Sequence, residues 1–204
     1  MKFIIIILFL TICYSSFAQR LPGGVSPDGN TEIEKKRNNF YASFVAKGAN
    51  FLNTWGLEIG GKVGLNLNHS IVLGIGFYSL LSRNLTVWDN FYKRTNIVVL
   101  GYGSIEAEFT HKLTNDLRFS FNFAPGIGRA DYQDYSYHRF ENNSSNDWFF
   151  FIEPGIVMNW KISDIFWVGV GYHYRGSFGV NLYGLKNSDI SGSILSLSIS
   201  TGNF

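Results

Sequence analysis

The chain has 204 residues, of which 46% are hydrophobic and 17% aromatic, with a single cysteine and a formal net charge of +2. A balanced charge with no basic tract interleaved with aromatics excludes a nucleic-acid binder. A mean hydropathy of +0.03 is far below that of a helical membrane protein.

Residues 1–18 read as a signal peptide. Lys2 supplies the positive start, Phe3 to Ile12 the apolar run, and Ser16-Phe17-Ala18 a small-x-small cleavage site before Gln19. The apolar run is shorter than the roughly 20 residues that a membrane-spanning helix needs. Cleavage after Ala18 removes Cys13, so the mature chain is expected to have neither disulfides nor thiol chemistry. Ile12 stands where a lipoprotein anchor would place a small residue before its cysteine. Residues 19–38 are polar, carry Glu32, Glu34, Lys35, Lys36 and Arg37, and read as a flexible periplasmic lead-in.

The third segment, 39–204, alternates strands with two kinds of connection. Periodicity predicts eight strands, at 40–47, 54–66, 71–82, 96–112, 117–129, 148–161, 165–177 and 190–201. Most reach the length of about 9–11 residues that a membrane-spanning strand needs. Leu67-Asn68-His69-Ser70, Leu113-Thr114-Asn115-Asp116 and Ile162-Ser163-Asp164 are short turns. The intervening segments 83–95, 130–147 and 178–189 are longer and polar, with a shorter one at 48–53. Short turns at one end and long loops at the other point to an all-β, eight-stranded antiparallel up-and-down transmembrane β-barrel, turns periplasmic and loops outside.

The strand from 165 to 175 shows the pattern clearly. Phe166, Val168, Val170, Tyr172 and Tyr174 share one face, while Trp167, Gly169, Gly171, His173 and Arg175 share the other. A charge facing lipid at the midplane costs about 2–4 kcal/mol, so the apolar faces are expected to point outward. These include Trp55, Leu57, Ile59, Val63 and Leu65, then Ile71, Leu73, Ile75 and Phe77, then Phe119, Phe121, Phe123 and Ile127. The opposite parity holds Glu58, Lys62, Glu106, Glu108, Arg118, Glu153, Lys161, His173 and Arg175, spaced by glycines. These form the expected lumen charge network. Leaving His173 aside, four acids meet four bases, which reads as a salt-bridged plug. The glycines make room for long side chains in a narrow barrel.

With its Ser-Phe-Ala-Gln signal end, its repeated hairpins from Phe40 onward and its terminal Phe204, the chain resembles the small eight-stranded outer-membrane β-barrel proteins of Gram-negative bacteria. The resemblance implies residence in the outer membrane, contact with its lipid, and recognition of the C-terminal strand by the barrel-assembly machinery. It does not name a task, because such barrels host many.

Little chemistry stands out. His69, His111, His138 and His173 are scattered without ligand spacing, so no metal or cofactor is expected. His173 and Ser177 lie four apart on one strand face, roughly 13 Å at strand rise and too far for a nucleophile and its base. Lipid A deacylases of similar fold carry His-x-Ser on a late strand, but here Arg175 stands two residues after His173. The lipid A palmitoyltransferase type begins with an amphipathic helix, which residues 30–39 do not offer. No enzyme is expected. Tyr132, Tyr135, Tyr137 and Phe140 enrich the loop 130–147 and offer a surface to an extracellular ligand. A structural or surface-interaction barrel is the leading reading. A narrow small-solute pore and a lipid A-modifying enzyme are the alternatives. The rival fold is a secreted soluble barrel with its apolar face inside.

Overall fold

A strand with one apolar and one polar face must separate the two, and a sheet closed on itself does so without leaving an edge. The computed structural model describes residues 40–68, 70–83, 85–89, 94–134, 147–182 and 184–202. In it the chain forms a closed barrel of eight antiparallel strands. They are β1 (Phe40–Phe51), β2 (Thr54–Asn68), β3 (Ile71–Leu80), β5 (Arg94–Lys112), β6 (Leu117–Asp134), β7 (Asp147–Lys161), β8 (Phe166–Phe178) and β9 (Gly192–Gly202). A short additional strand, β4 (Thr86–Asp89), pairs with β5. The barrel closes where β1 runs antiparallel to β9, from Tyr41 beside Gly202 to Ala49 beside Ile194.

The expected alternation is realised. Trp55, Leu57, Leu65, Leu73, Ile75, Phe77, Phe119, Phe121, Phe123 and Ile127 are all exposed on the outer surface. The signal peptide at 1–18, the lead-in at 19–38, His69, Tyr135, Tyr137, His138, Phe140 and Phe204 lie outside the described residues.

Three expectations about the loop end need correction. Residues 48–53 are not a loop: β1 continues to Phe51, and the hairpin turns on Leu52 and Asn53, with φ of 49° and 59°. Two successive left-handed residues make the tight primed turn whose twist matches the flanking strands. Segment 83–95 is not wholly irregular either, since it contains β4 and the start of β5. There β5 and β6 run past their neighbours, pairing as far as Asn96 with Asp134.

The third correction concerns the connection between β8 and β9, which is not a polar loop. It contains a one-turn helix, α1 (Asn187–Ile190), so Ile190 ends a helix where a strand start was expected. Val180, Leu182, Leu185 and Ile190 are all buried in one cluster with Ala49, Phe51, Leu100, Phe149, Phe151 and Ile194 of the barrel wall. Burying each aliphatic side chain contributes about 1.5–3 kcal/mol. That gain folds the segment back into the barrel mouth.

Candidate functional site

The interior is stratified. At the loop end lies the apolar cluster just described, at mid-height a layer of buried charge, and at the turn end a layer of hydroxyls and amides.

Arg175 of β8 is the hub of the middle layer and is 1% exposed. Its Nη1 and Nη2 donate to the two carboxylate oxygens of Glu58 on β2 at 2.9 and 3.0 Å. Nε and Nη2 also donate to Oε2 of Glu153 on β7 at 3.1 and 2.9 Å. Tyr102 of β5 accepts from Nη2 at 2.5 Å and donates to Glu58 at 2.7 Å. Lys47 of β1 donates to the other oxygen of Glu153 at 2.6 Å, and its Nζ lies 3.7 Å above the Tyr78 ring of β3. Fork-shaped donors matched to carboxylates give short, charge-assisted bonds. Here they tie strands on opposite sides of the barrel.

A second cluster lies next to the first. Glu106 accepts from Tyr78 at 2.9 Å, Ser104 at 2.8 Å and Asn122 at 3.2 Å. Lys62 pairs with Glu108 at 3.0 Å. Of the nine residues expected in the lumen network, Glu58, Lys62, Glu106, Glu108, Glu153, His173 and Arg175 are buried in this layer. The other two lie elsewhere. Arg118 sits toward the turn end, its guanidinium 4.1 Å from the Trp167 ring. Lys161 ends β7 and donates to Asp164 of the next turn at 2.9 Å, a bond that holds the Asp164 carboxyl below its usual range.

Lys47, Tyr78, Tyr102 and Ser196 belong to the layer and were not expected from the sequence. Lys47 had a signal, since it continues the inward parity of Tyr41, Ser43 and Val45. Ending the strand at Lys47 hid it. Neutral phenols and hydroxyls give no such parity signal, because they occur on both faces.

Inward glycines provide the space. A Cβ on Gly128 would strike the Phe149 ring, and one on Gly155 would strike the imidazole of His173. Two small voids lie among the described residues. One of about 20 Å³ lies among Lys47, Lys62, Glu106, Glu153, His173 and Ser196, and one of about 10 Å³ lies near Arg118 and Trp167. Space of this order holds a water molecule or two.

One arrangement has the order of a nucleophile, a base and an acid. Ser196 Oγ lies 2.9 Å from His173 Nε2, and Glu153 Oε1 lies 4.0 Å from His173 Nδ1. The distance to Glu153 is too long for an orienting hydrogen bond, and that carboxylate is already held by Lys47 and Arg175. The adjoining void admits water but no acyl substrate.

No protein-family model and no curated protein matches the chain. Among solved structures the barrel is similar to Neisserial surface protein A (NspA). The TM-score is 0.61 at 11% identity, covering 80% of this chain and 97% of that one. It is also similar to the N-terminal β-barrel domain of Pseudomonas aeruginosa OprF. There the TM-score is 0.50 at 10% identity, covering 81% of this chain and 98% of that one. Both are eight-stranded outer-membrane barrels. At such identities the likeness is one of fold.

Proposed function

We propose that the chain is an integral outer-membrane β-barrel of a Gram-negative bacterium whose lumen is closed and whose role is structural or surface-interacting. The observation that carries this reading is the hub at Arg175. One guanidinium bridges Glu58 and Glu153 across the barrel, and the void that Glu153 shares with Lys47, Lys62 and Glu106 is about 20 Å³. A barrel of eight strands is just wide enough for side chains to fill. Opposite charges in contact, each with further hydrogen bonds, leave no continuous water column for a solute to follow. The apolar outer surface, running through Phe77, Ile105, Phe150, Leu195 and Ile199, supports lipid as the surrounding medium. The chain's partners on this reading are outer-membrane lipid, the assembly machinery acting on the C-terminal strand, and an extracellular ligand at the long loops. Acyl chemistry has no support at the Ser196–His173 contact, for want of an acid in reach of the ring and of room for a substrate.

Conductance tests the closed lumen. Purified protein in a planar bilayer should show no stable current steps. Regular, ion-selective steps from the unmutated chain would replace this reading with a small-solute pore.

A further inference from the structure

The charged layer closes the barrel at mid-height, but it is not what faces the outside. Above it lie the described residues of the β8–β9 connection, 179–182 and 184–191. Their inward side chains are apolar and their outward ones polar: Val180, Leu182, Leu185 and Ile190 are buried, whereas Asn181, Lys186 and Ser188 are exposed. We propose that this connection is a hydrophobic stopper that by itself controls entry to the lumen from the extracellular side, in series with the ion network below. The proposal rests on the membrane-barrel reading above.

Three observations carry it. The first is the chemistry of the layer. Packed in one cluster with the stopper, Ala49, Leu100, Ala130, Phe149 and Ile194 line the wall, each 2% exposed or less. An apolar constriction of this kind bars water and ions by dewetting, without any charge of its own. The second is its attachment. The stopper takes no part in the strand ladders and is held to the rim at a few points. Leu52 N–H donates to the Asp189 carbonyl at 3.0 Å, Ser177 N–H donates to Ser191 Oγ at 2.9 Å, and Asn181 N–H donates to the Asp147 carboxylate. It can therefore leave while the barrel ladder stays whole. The third is its backbone. Gly179 and Gly184 have φ of 80° and 78°, a conformation that lets the chain turn inward twice in six residues and that glycine adopts without strain.

The experiment uses a cysteine in the buried cluster that the stopper covers. Ala130→Cys, in a Cys13→Ser background, places a thiol at a site that is 0% exposed. The folded protein is treated in detergent with a small charged methanethiosulfonate, and heat-modifiable migration on a gel confirms that each variant is a folded barrel. With the stopper intact the thiol should be unreactive. Adding Leu182→Asp and Leu185→Asp should raise the labelling rate by about 100-fold, the scale of a lost local-opening barrier. Leu185→Ser alone is the milder variant if the double aspartate fails to fold, and it should raise the rate in the same direction. Glu153→Gln with the stopper intact should leave the thiol protected. Fast labelling with the stopper intact, or labelling released by Glu153→Gln and not by the stopper variants, would overturn the proposal. Loss of heat-modifiable migration in the parent chain would instead count against the membrane-barrel reading itself.

Discussion

Arg175 and Glu58 stand 117 residues apart in sequence and meet across the barrel through two parallel hydrogen bonds of 2.9 and 3.0 Å. Neither side chain is more than 1% exposed. A buried pair of this kind adds little compared with an apolar replacement of both partners, but removing one partner strands the other.

Variants of this layer should therefore rank by what each leaves unpaired. Arg175→Met leaves Glu58 and Glu153 with fewer cations and should cost about 3–5 kcal/mol. Glu58→Gln should cost less, because Arg175 keeps its bonds to Glu153. Glu153→Lys should be the worst of the three, since it puts a third cation against Lys47 and Arg175. The check is the urea midpoint of heat-modifiable migration. An Arg175→Met midpoint equal to wild type would show that the network does not hold the barrel.

The inward glycines make a second prediction, based on space alone. A Cβ on inward Gly60 would run into the Phe77 carbonyl and the Tyr78 ring, whereas one on Gly101, which shares the outward parity of Val99 and Ile105, would find its nearest neighbour at 3.9 Å. Gly60→Ala should cost about 1–3 kcal/mol through overpacking. Gly101→Ala should be near neutral, because it meets no clash and restricts the unfolded chain. Equal midpoints for the two variants would remove the argument that glycines make room for the tyrosines.

The period-two faces made the barrel legible in the sequence, because a charge on the lipid face is costly and therefore marks the inside. Seven of the residues expected in the lumen lie in its charged layer for that reason. What escaped was whatever lacked a sign. Lys47 was passed over as the last residue of a strand expected to stop there, because Gly48, Ala49 and Asn50 read as a loop and such residues are depleted in strands. Their pairing with Leu57, Gly56 and Trp55 on β2 overrides that preference. The stopper was missed because Val180, Leu182, Leu185 and Ile190 follow neither a period of two nor one of 3.6. Only the shape of the barrel mouth gives them a common side.

The asymmetry of the two ends makes a topological prediction. The turn after β5 is four residues long, from Leu113 to Asp116, while β6 and β7 are joined by residues 135–146 at the opposite end. An epitope inserted between Asn142 and Ser145 should be stained on intact cells. One inserted after Asn115 should be stained only after the outer membrane is permeabilised. Staining of the Asn115 epitope alone on intact cells would invert the barrel.

The medium around the barrel can be tested at single positions on its outer face. Ile75 lies midway along β3 and Leu67 lies at the turn end of β2; they are 47% and 57% exposed. In water, replacing either by arginine would cost little, because both already face outward and neither fills a core position. In a bilayer the cost depends on depth. Arginine at the midplane costs about 2–4 kcal/mol, falling to about 0–1 kcal/mol near the interface, where the guanidinium reaches water and headgroups. Ile75→Arg should therefore lower the urea midpoint of the protein refolded into vesicles well below that of Leu67→Arg. The difference should shrink when unfolding is measured in a small-headgroup detergent micelle that deforms around the charge. A barrel standing in water with these side chains merely exposed would show two equal, near-zero effects, and that result would remove the lipid from the account while leaving the fold intact.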